Sequence, residues 1–114
     1  MRHVQWTEAV WAVVVAGLLL ASVWLGFQAS KGEADPNLHG IVAFVAAVLA
    51  IGSHVRRGGG WDFLAVVAIV VGVGLGVVAQ RGGAGGDLHL AVAVSAALFS
   101  SALHVATLAP GVRR

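Results

Sequence analysis

Four histidines stand at regular positions in this 114-residue chain. Imidazole is the side chain that most often binds metals or moves protons near neutral pH. His39 and His54 are 15 positions apart, and His89 and His104 repeat that spacing 50 residues later. The fifth histidine, His3, falls outside the pattern. We therefore expect the four regularly spaced histidines to share one role.

The segments that carry these histidines are long and apolar. Hydrophobic residues make up 59% of the chain and charged residues 11%, against about 25% charged in a soluble domain. Each apolar run has about the 20 residues that cross a hydrocarbon core about 30 Å thick. The sequence therefore predicts one all-α transmembrane domain over residues 1–114, an up-down-up-down bundle with no room for a soluble catalytic domain. Its four predicted helices are residues 6–29, 36–55, 61–79 and 88–108.

The chain also matches itself when it is shifted by 50 residues. Repeat 1 covers about residues 11–60, and repeat 2 about residues 61–110. Trp11 aligns with Trp61, and the histidines align without a gap. This pattern indicates a tandem duplication of a two-helix hairpin, whose two copies run in the same direction through the membrane.

Basic residues are distributed unequally between the two ends of the predicted bundle. One end carries Arg2, Arg56, Arg57, Arg113 and Arg114, and the other carries Lys31 and Arg81. The positive-inside rule places the first end, with both termini, in the cytoplasm. We expect the protein in a prokaryotic plasma membrane, and we name the Lys31 end the outer end. Asp35 and Asp87, at the starts of the second and fourth helices, are predicted N-caps.

Helix geometry places the histidines in two layers. Fifteen positions correspond to about 22 Å of rise and about 60° of rotation along an α-helix. Because the second and fourth helices run in the same direction, His39 is expected to meet His89 near the outer surface. These two are called the outer pair. His54 and His104, called the inner pair, are expected to meet near the inner surface.

Two facing imidazoles within a membrane suit the iron of a haem, whose porphyrin supplies the other four nitrogens. The spans are not expected to supply a carboxylate or thiolate that would complete a zinc or di-iron site. The chain has no cysteine, which excludes disulfides, iron–sulfur clusters and covalent c-type haem. We therefore predict two non-covalent haem b groups, with His39 and His89 as ligands of the outer iron and His54 and His104 as ligands of the inner iron.

Further residues are predicted to contact the haem groups. Gly26 and Gly76 have no Cβ, so the backbone at these positions would leave room for a macrocycle. Cations near each layer would pair with the propionates or would serve only to orient the helices. The candidate cations are Lys31 and Arg81 outside, and Arg56 and Arg57 inside.

The histidine pattern resembles that of the membrane di-haem b-type cytochromes. The matching segments are Leu38-His39 to His54-Val55 and Leu88-His89 to His104-Val105. In that family, which includes the cytochrome b of quinol:cytochrome c oxidoreductases, two parallel helices of a four-helix core each carry two haem-ligating histidines. The resemblance covers most of the chain and rests on ligand spacing. It implies transmembrane electron transfer through two stacked bis-histidine haems.

A second resemblance is to half of a heme A synthase, a four-helix bundle with ligand histidines on its second and fourth helices. That family places a catalytic glutamate just before a ligand histidine. Here the nearest acids are Asp35, four residues before His39, and Asp87, two residues before His89. A haem-modifying enzyme therefore stays open as an alternative. A haem-carrying subunit also stays open, and so does a scaffold subunit in which the histidines hydrogen-bond the helices together.

The main prediction is an electron-transfer protein rather than an enzyme with its own substrate site, and no catalytic residue is assigned. Bis-histidine ligation leaves no open position on the iron for a substrate. The expected partners are the lipid bilayer and a quinol or a redox protein, with no nucleic acid. A homodimer is left open.

Overall fold

The chain, as a computed structural model, is described for residues 2–82 and 86–108, with side chains for residues 6–82 and 86–108. Over these residues it forms four α-helices, each long and apolar enough to cross a membrane. The predicted all-α four-helix fold is confirmed. The helices are α1 (Arg2–Ser30), α2 (Pro36–Arg57), α3 (Gly60–Gln80) and α4 (Gly86–Ala106).

Local sequence signals determine both ends of α2. At its start, the Asp35 carboxylate accepts a hydrogen bond from the backbone N–H of Asn37 at 2.9 Å, so the predicted N-cap is confirmed. At its end, Gly58 adopts a left-handed conformation with φ 73° and donates its N–H to the carbonyl of His54. Glycine adopts this conformation without steric cost. α2 therefore ends directly after the turn that carries His54 of the inner pair.

The start of α4 differs from the prediction. The helix begins at Gly86, so Asp87 lies in its first turn rather than at the N-cap position. A carboxylate there is still favourable, because the helix dipole stabilises negative charge near the N-terminus. Residues 83–85 of the preceding loop lie outside the described residues, as do Arg113 and Arg114, which entered the orientation prediction.

The four helices form a closed ring, in which each helix contacts the next and α1 also contacts α4. α2 and α4 therefore occupy opposite corners of the bundle. The core consists mainly of small side chains, while most large apolar side chains are exposed on the outside, as lipid contact requires. The buried core residues are Val15, Leu19, Ala46, Ala47, Ala50, Ile69, Ala96 and Ala97.

The dimensions and the tryptophans agree with a membrane setting. The bundle is 48 Å along its longest axis, close to the thickness of about 40–45 Å of a bilayer with its headgroups. Trp6, Trp24 and Trp61 are exposed, as interface anchors are. Trp11 differs because it packs partly against the core, and its buried Nε1 has no hydrogen-bond partner among the described residues.

We predict that the two ends of the bundle are accessible from opposite sides of the membrane. Because the chain has no cysteine, Glu33→Cys and Arg56→Cys each create a unique labelling site at an exposed position. A membrane-impermeant maleimide added to intact cells should modify the Glu33→Cys protein. It should reach the Arg56→Cys protein only after permeabilisation. Labelling of both in intact cells would contradict the hairpin topology, and the reverse pattern would contradict the orientation.

Candidate functional site

The structure brings the four regularly spaced histidines together in two pairs between α2 and α4. In the outer pair, the ring centroids of His39 and His89 are 6.4 Å apart and the ring planes are inclined by 65°. In the inner pair, the centroids of His54 and His104 are 4.8 Å apart and the planes are inclined by 67°. The two pairs therefore differ in spacing although they share the same residue type.

Each ring of the outer pair lies against a glycine of a neighbouring helix. A Cβ placed on Gly26 of α1 would lie 3.0 Å from Cε1 of His39. A Cβ placed on Gly76 of α3 would lie 2.7 Å from Cε1 of His89. In this structure the two glycines, which were predicted to make room for a macrocycle, accommodate the imidazole rings themselves.

The hydrogen bonding of the outer pair leaves ring nitrogens available. Nδ1 of His89 lies 2.8 Å from the backbone carbonyl oxygen of Gly72. Because a carbonyl only accepts, Nδ1 donates, and Nε2 of the neutral ring keeps its lone pair. Metal-ligating histidines typically have this arrangement. Nδ1 of His39 is buried and has no hydrogen-bond partner among the described residues.

The inner pair is hydrogen-bonded at all four ring nitrogens. Nδ1 of His54 lies 2.7 Å from a carboxylate oxygen of Asp62 on α3, and Nε2 lies 2.7 Å from the Ser100 hydroxyl on α4. Nδ1 of His104 lies 2.8 Å from the Ser100 carbonyl, and Nε2 lies 3.0 Å from the Ser53 hydroxyl on α2. Each histidine is therefore bonded to a serine of the helix opposite.

Arg57 and a backbone amide extend this arrangement toward the inner surface. The Arg57 guanidinium donates to the Ser53 hydroxyl at 3.1 Å and lies 3.7 Å from the Asp62 carboxylate. The Gly59 N–H donates to the second carboxylate oxygen of Asp62 at 3.3 Å. The side chains of this group are called the inner polar network. Its members are Ser53, His54, Arg57, Asp62, Ser100 and His104.

Asp62 corrects the prediction that the spans supply no carboxylate. It is the third residue of α3 and is only 1% exposed. At the start of a span it resembles a flanking or capping residue, but in the structure His54 and Arg57 of α2 lie against it. Two signals point to it in retrospect. The loop between α2 and α3 is short, and the equivalent residue of repeat 1 is the apolar Ala12.

The four predicted propionate-binding cations lie in different settings. Lys31 is exposed and lies 3.6 Å from the Glu33 carboxylate. Arg81 and Arg56 are exposed at opposite ends of the bundle. Arg57 is partly buried and directed into the inner polar network. Three of the four are thus exposed near a membrane surface, and the fourth contacts buried protein groups.

Asp62, His54 and Ser100 lie in the order of an acid, base and nucleophile triad. Ser100 is fully buried, however, and its carbonyl accepts a hydrogen bond from His104. The surface groove between α3 and α4 and the one between α2 and α3 are lined by other residues. The arrangement therefore supports hydrogen bonding within the bundle rather than attack on a substrate.

The two pairs fit an iron porphyrin differently. A metal–imidazole bond is about 2 Å long, so two rings that share one iron have centroids about 6 Å apart. The outer pair, at 6.4 Å, has this spacing. The inner pair, at 4.8 Å, is too close, and both of its Nε2 atoms are bonded to serine hydroxyls. The outer pair therefore has the ring spacing that the group requires, and the inner pair does not have it in the observed arrangement.

No family model, curated protein or solved structure matches this chain. Among the described residues, no group of three or more histidine, aspartate or glutamate side chains is placed to hold a metal ion. The outer pair therefore offers two imidazoles alone as donors, which is the axial ligand set of a six-coordinate haem.

We predict that Gly76→Ala destabilises the bundle through His89. The added Cβ would lie 2.7 Å from the ring, so the ring must move and its hydrogen bond to Gly72 must weaken. Overpacking of this kind costs about 1–3 kcal/mol of unfolding free energy, measurable as a lower thermal unfolding midpoint in detergent. Gly74→Ala is the matched control on the same helix, because nothing lies within 4 Å of a Cβ there. An equal loss in the control would contradict the contact.

Proposed function

We propose that this chain is a b-type cytochrome of the membrane, which binds haem b between α2 and α4 and transfers electrons through it. The observation that carries the proposal is the outer pair, in which two imidazoles from opposite helices have centroids 6.4 Å apart. A polar side chain inside a membrane bundle is costly without a partner. The buried Nδ1 of His39, with no protein partner among the described residues, supports a ligand at this level.

His39 and His89 would be the two axial ligands. The bond from Nδ1 of His89 to Gly72 holds the proton on Nδ1, so that Nε2 is the nitrogen available to a metal. Haem b, when bound, supplies an iron that takes up and releases one electron. Held by two imidazoles, the iron would favour electron transfer over chemistry on a bound substrate.

The inner pair bears on whether electrons cross the whole membrane. A haem at each pair would give the transmembrane path through two stacked haems that the sequence predicts. His54 and His104 would first have to exchange their serine hydrogen bonds for iron and separate their rings. Two haems therefore stay a prediction that haem content tests. A quinol or a redox protein is the proposed partner.

We predict that the protein, purified in detergent with hemin supplied, shows the reduced-minus-oxidised spectrum of a low-spin bis-histidine b haem. His39→Ala should remove one haem per chain, because the outer iron loses an axial ligand. His3→Ala is the control, since His3 lies outside the membrane-spanning part of α1. An unmodified chain that binds no haem would contradict the proposal, and so would an unchanged haem content in His39→Ala. A chemically altered haem product would favour the haem-modifying alternative.

A further inference from the structure

The inner polar network is the most deeply buried polar group of the described chain. The exposed fractions of His54, Asp62 and His104 are 1% each, and that of Ser100 is 0%. Buried polar groups of this kind destabilise a fold unless hydrogen bonds replace the lost water. These side chains can therefore be buried only because hydrogen bonds within the network replace those to water.

The bonds of His104 run in one consistent direction. Nδ1 donates to the Ser100 carbonyl, which only accepts, so Nε2 of the neutral ring accepts from the Ser53 hydroxyl. Ser53 in turn accepts from the Arg57 guanidinium. Both ring nitrogens of His104 are therefore bonded, and the Nε2 lone pair that an iron would need is already used.

The bonds of His54 follow the same logic. Nδ1 donates to the Asp62 carboxylate, so Nε2 of the neutral ring accepts from the Ser100 hydroxyl. The other carboxylate oxygen accepts from the Gly59 N–H. Ser100 thus serves both branches, with its hydroxyl bonded to His54 and its carbonyl bonded to His104. The network joins α2, α3 and α4 at the inner end.

The sequence repeat shows that the polar partners of the inner pair are not part of the duplicated pattern. The histidines are present in both repeats, but their side-chain partners are not. Asp62 corresponds to Ala12 and Ser100 to Ala50, and both alanines are buried in the core. Ser53 corresponds to Leu103. Two facing imidazoles are all that a bis-histidine haem site requires, whereas the additional polar side chains are required by hydrogen bonding within the protein.

We propose that the inner pair is a structural clasp that holds α2, α3 and α4 together, and that the outer pair is the haem site of the chain. The clasp itself follows from the hydrogen bonds of the inner polar network. The count of one haem per chain rests on the proposed function. Each repeat thus contributes its first histidine to iron ligation at the outer end and its second histidine to hydrogen bonding at the inner end.

The test compares Ser100→Ala with Ser101→Ala in the full chain, purified in detergent with hemin supplied. Ser101 is the matched control, because it is buried beside Ser100 and its hydroxyl has no hydrogen-bond partner among the described residues. Ser100→Ala leaves Nε2 of His54 without its donor. Its thermal unfolding midpoint should fall by roughly 5 °C, while Ser101→Ala should not lower the midpoint. Both variants should keep one haem per chain, and His39→Ala should keep none.

The outcomes separate the two proposals. Two haems in the unmodified chain, haem retained in His39→Ala, or a change of haem content in Ser100→Ala would overturn the clasp. Equal midpoints for Ser100→Ala and the unmodified chain would also overturn it. Failure of the chain to bind any haem would overturn the proposed function and with it the haem site at the outer pair. The clasp would still be decided, because the difference in midpoint between the two serine variants tests it without haem.

Discussion

The cost of placing imidazole inside a lipid-embedded bundle is the constraint on which this structure depends. Each buried ring nitrogen needs a hydrogen-bond partner or a metal, because neither lipid nor an alanine core supplies one. The inner pair meets this requirement entirely with protein groups. The outer pair meets it only in part, since Nδ1 of His39 has no partner among the described residues. This difference is the basis for proposing hydrogen bonding as the role of the inner pair and ligand binding as the role of the outer pair.

Small residues make both arrangements possible. The alanines of the core let the helices approach closely, so histidines on the opposite helices α2 and α4 reach each other across the bundle. At the outer end, Gly26 and Gly76 give each ring space that a Cβ would fill. The large apolar side chains are mostly exposed on the outside, where they meet lipid. The bundle therefore combines an interior that positions imidazoles with an exterior that holds it in the membrane.

The two ends of the bundle also differ in how firmly they hold their histidines. At the inner end, bonds to Ser53, Asp62 and Ser100 hold both rings from three helices, 4.8 Å apart. At the outer end, the one hydrogen bond that holds a ring among the described residues runs from His89 to the Gly72 carbonyl. The hydrogen bonds at the inner end stabilise the fold. The outer pair keeps a ring nitrogen without a hydrogen-bond partner among the described residues, which supports the proposal that it binds a ligand. A single electron-transfer site at the outer end follows from this division if iron binds there.

The sequence by itself determined the four spans, the N-cap at Asp35 and the way in which the histidines pair. Helical periodicity fixes height and angle along each helix, and these are enough to bring His39 to His89 and His54 to His104. Only the tertiary structure decided the spacing of each pair, the burial of Asp62 and the partners of each ring nitrogen. These depend on distances between helices, which are set by packing among side chains far apart in the sequence. Periodicity within one helix carries no information about such distances.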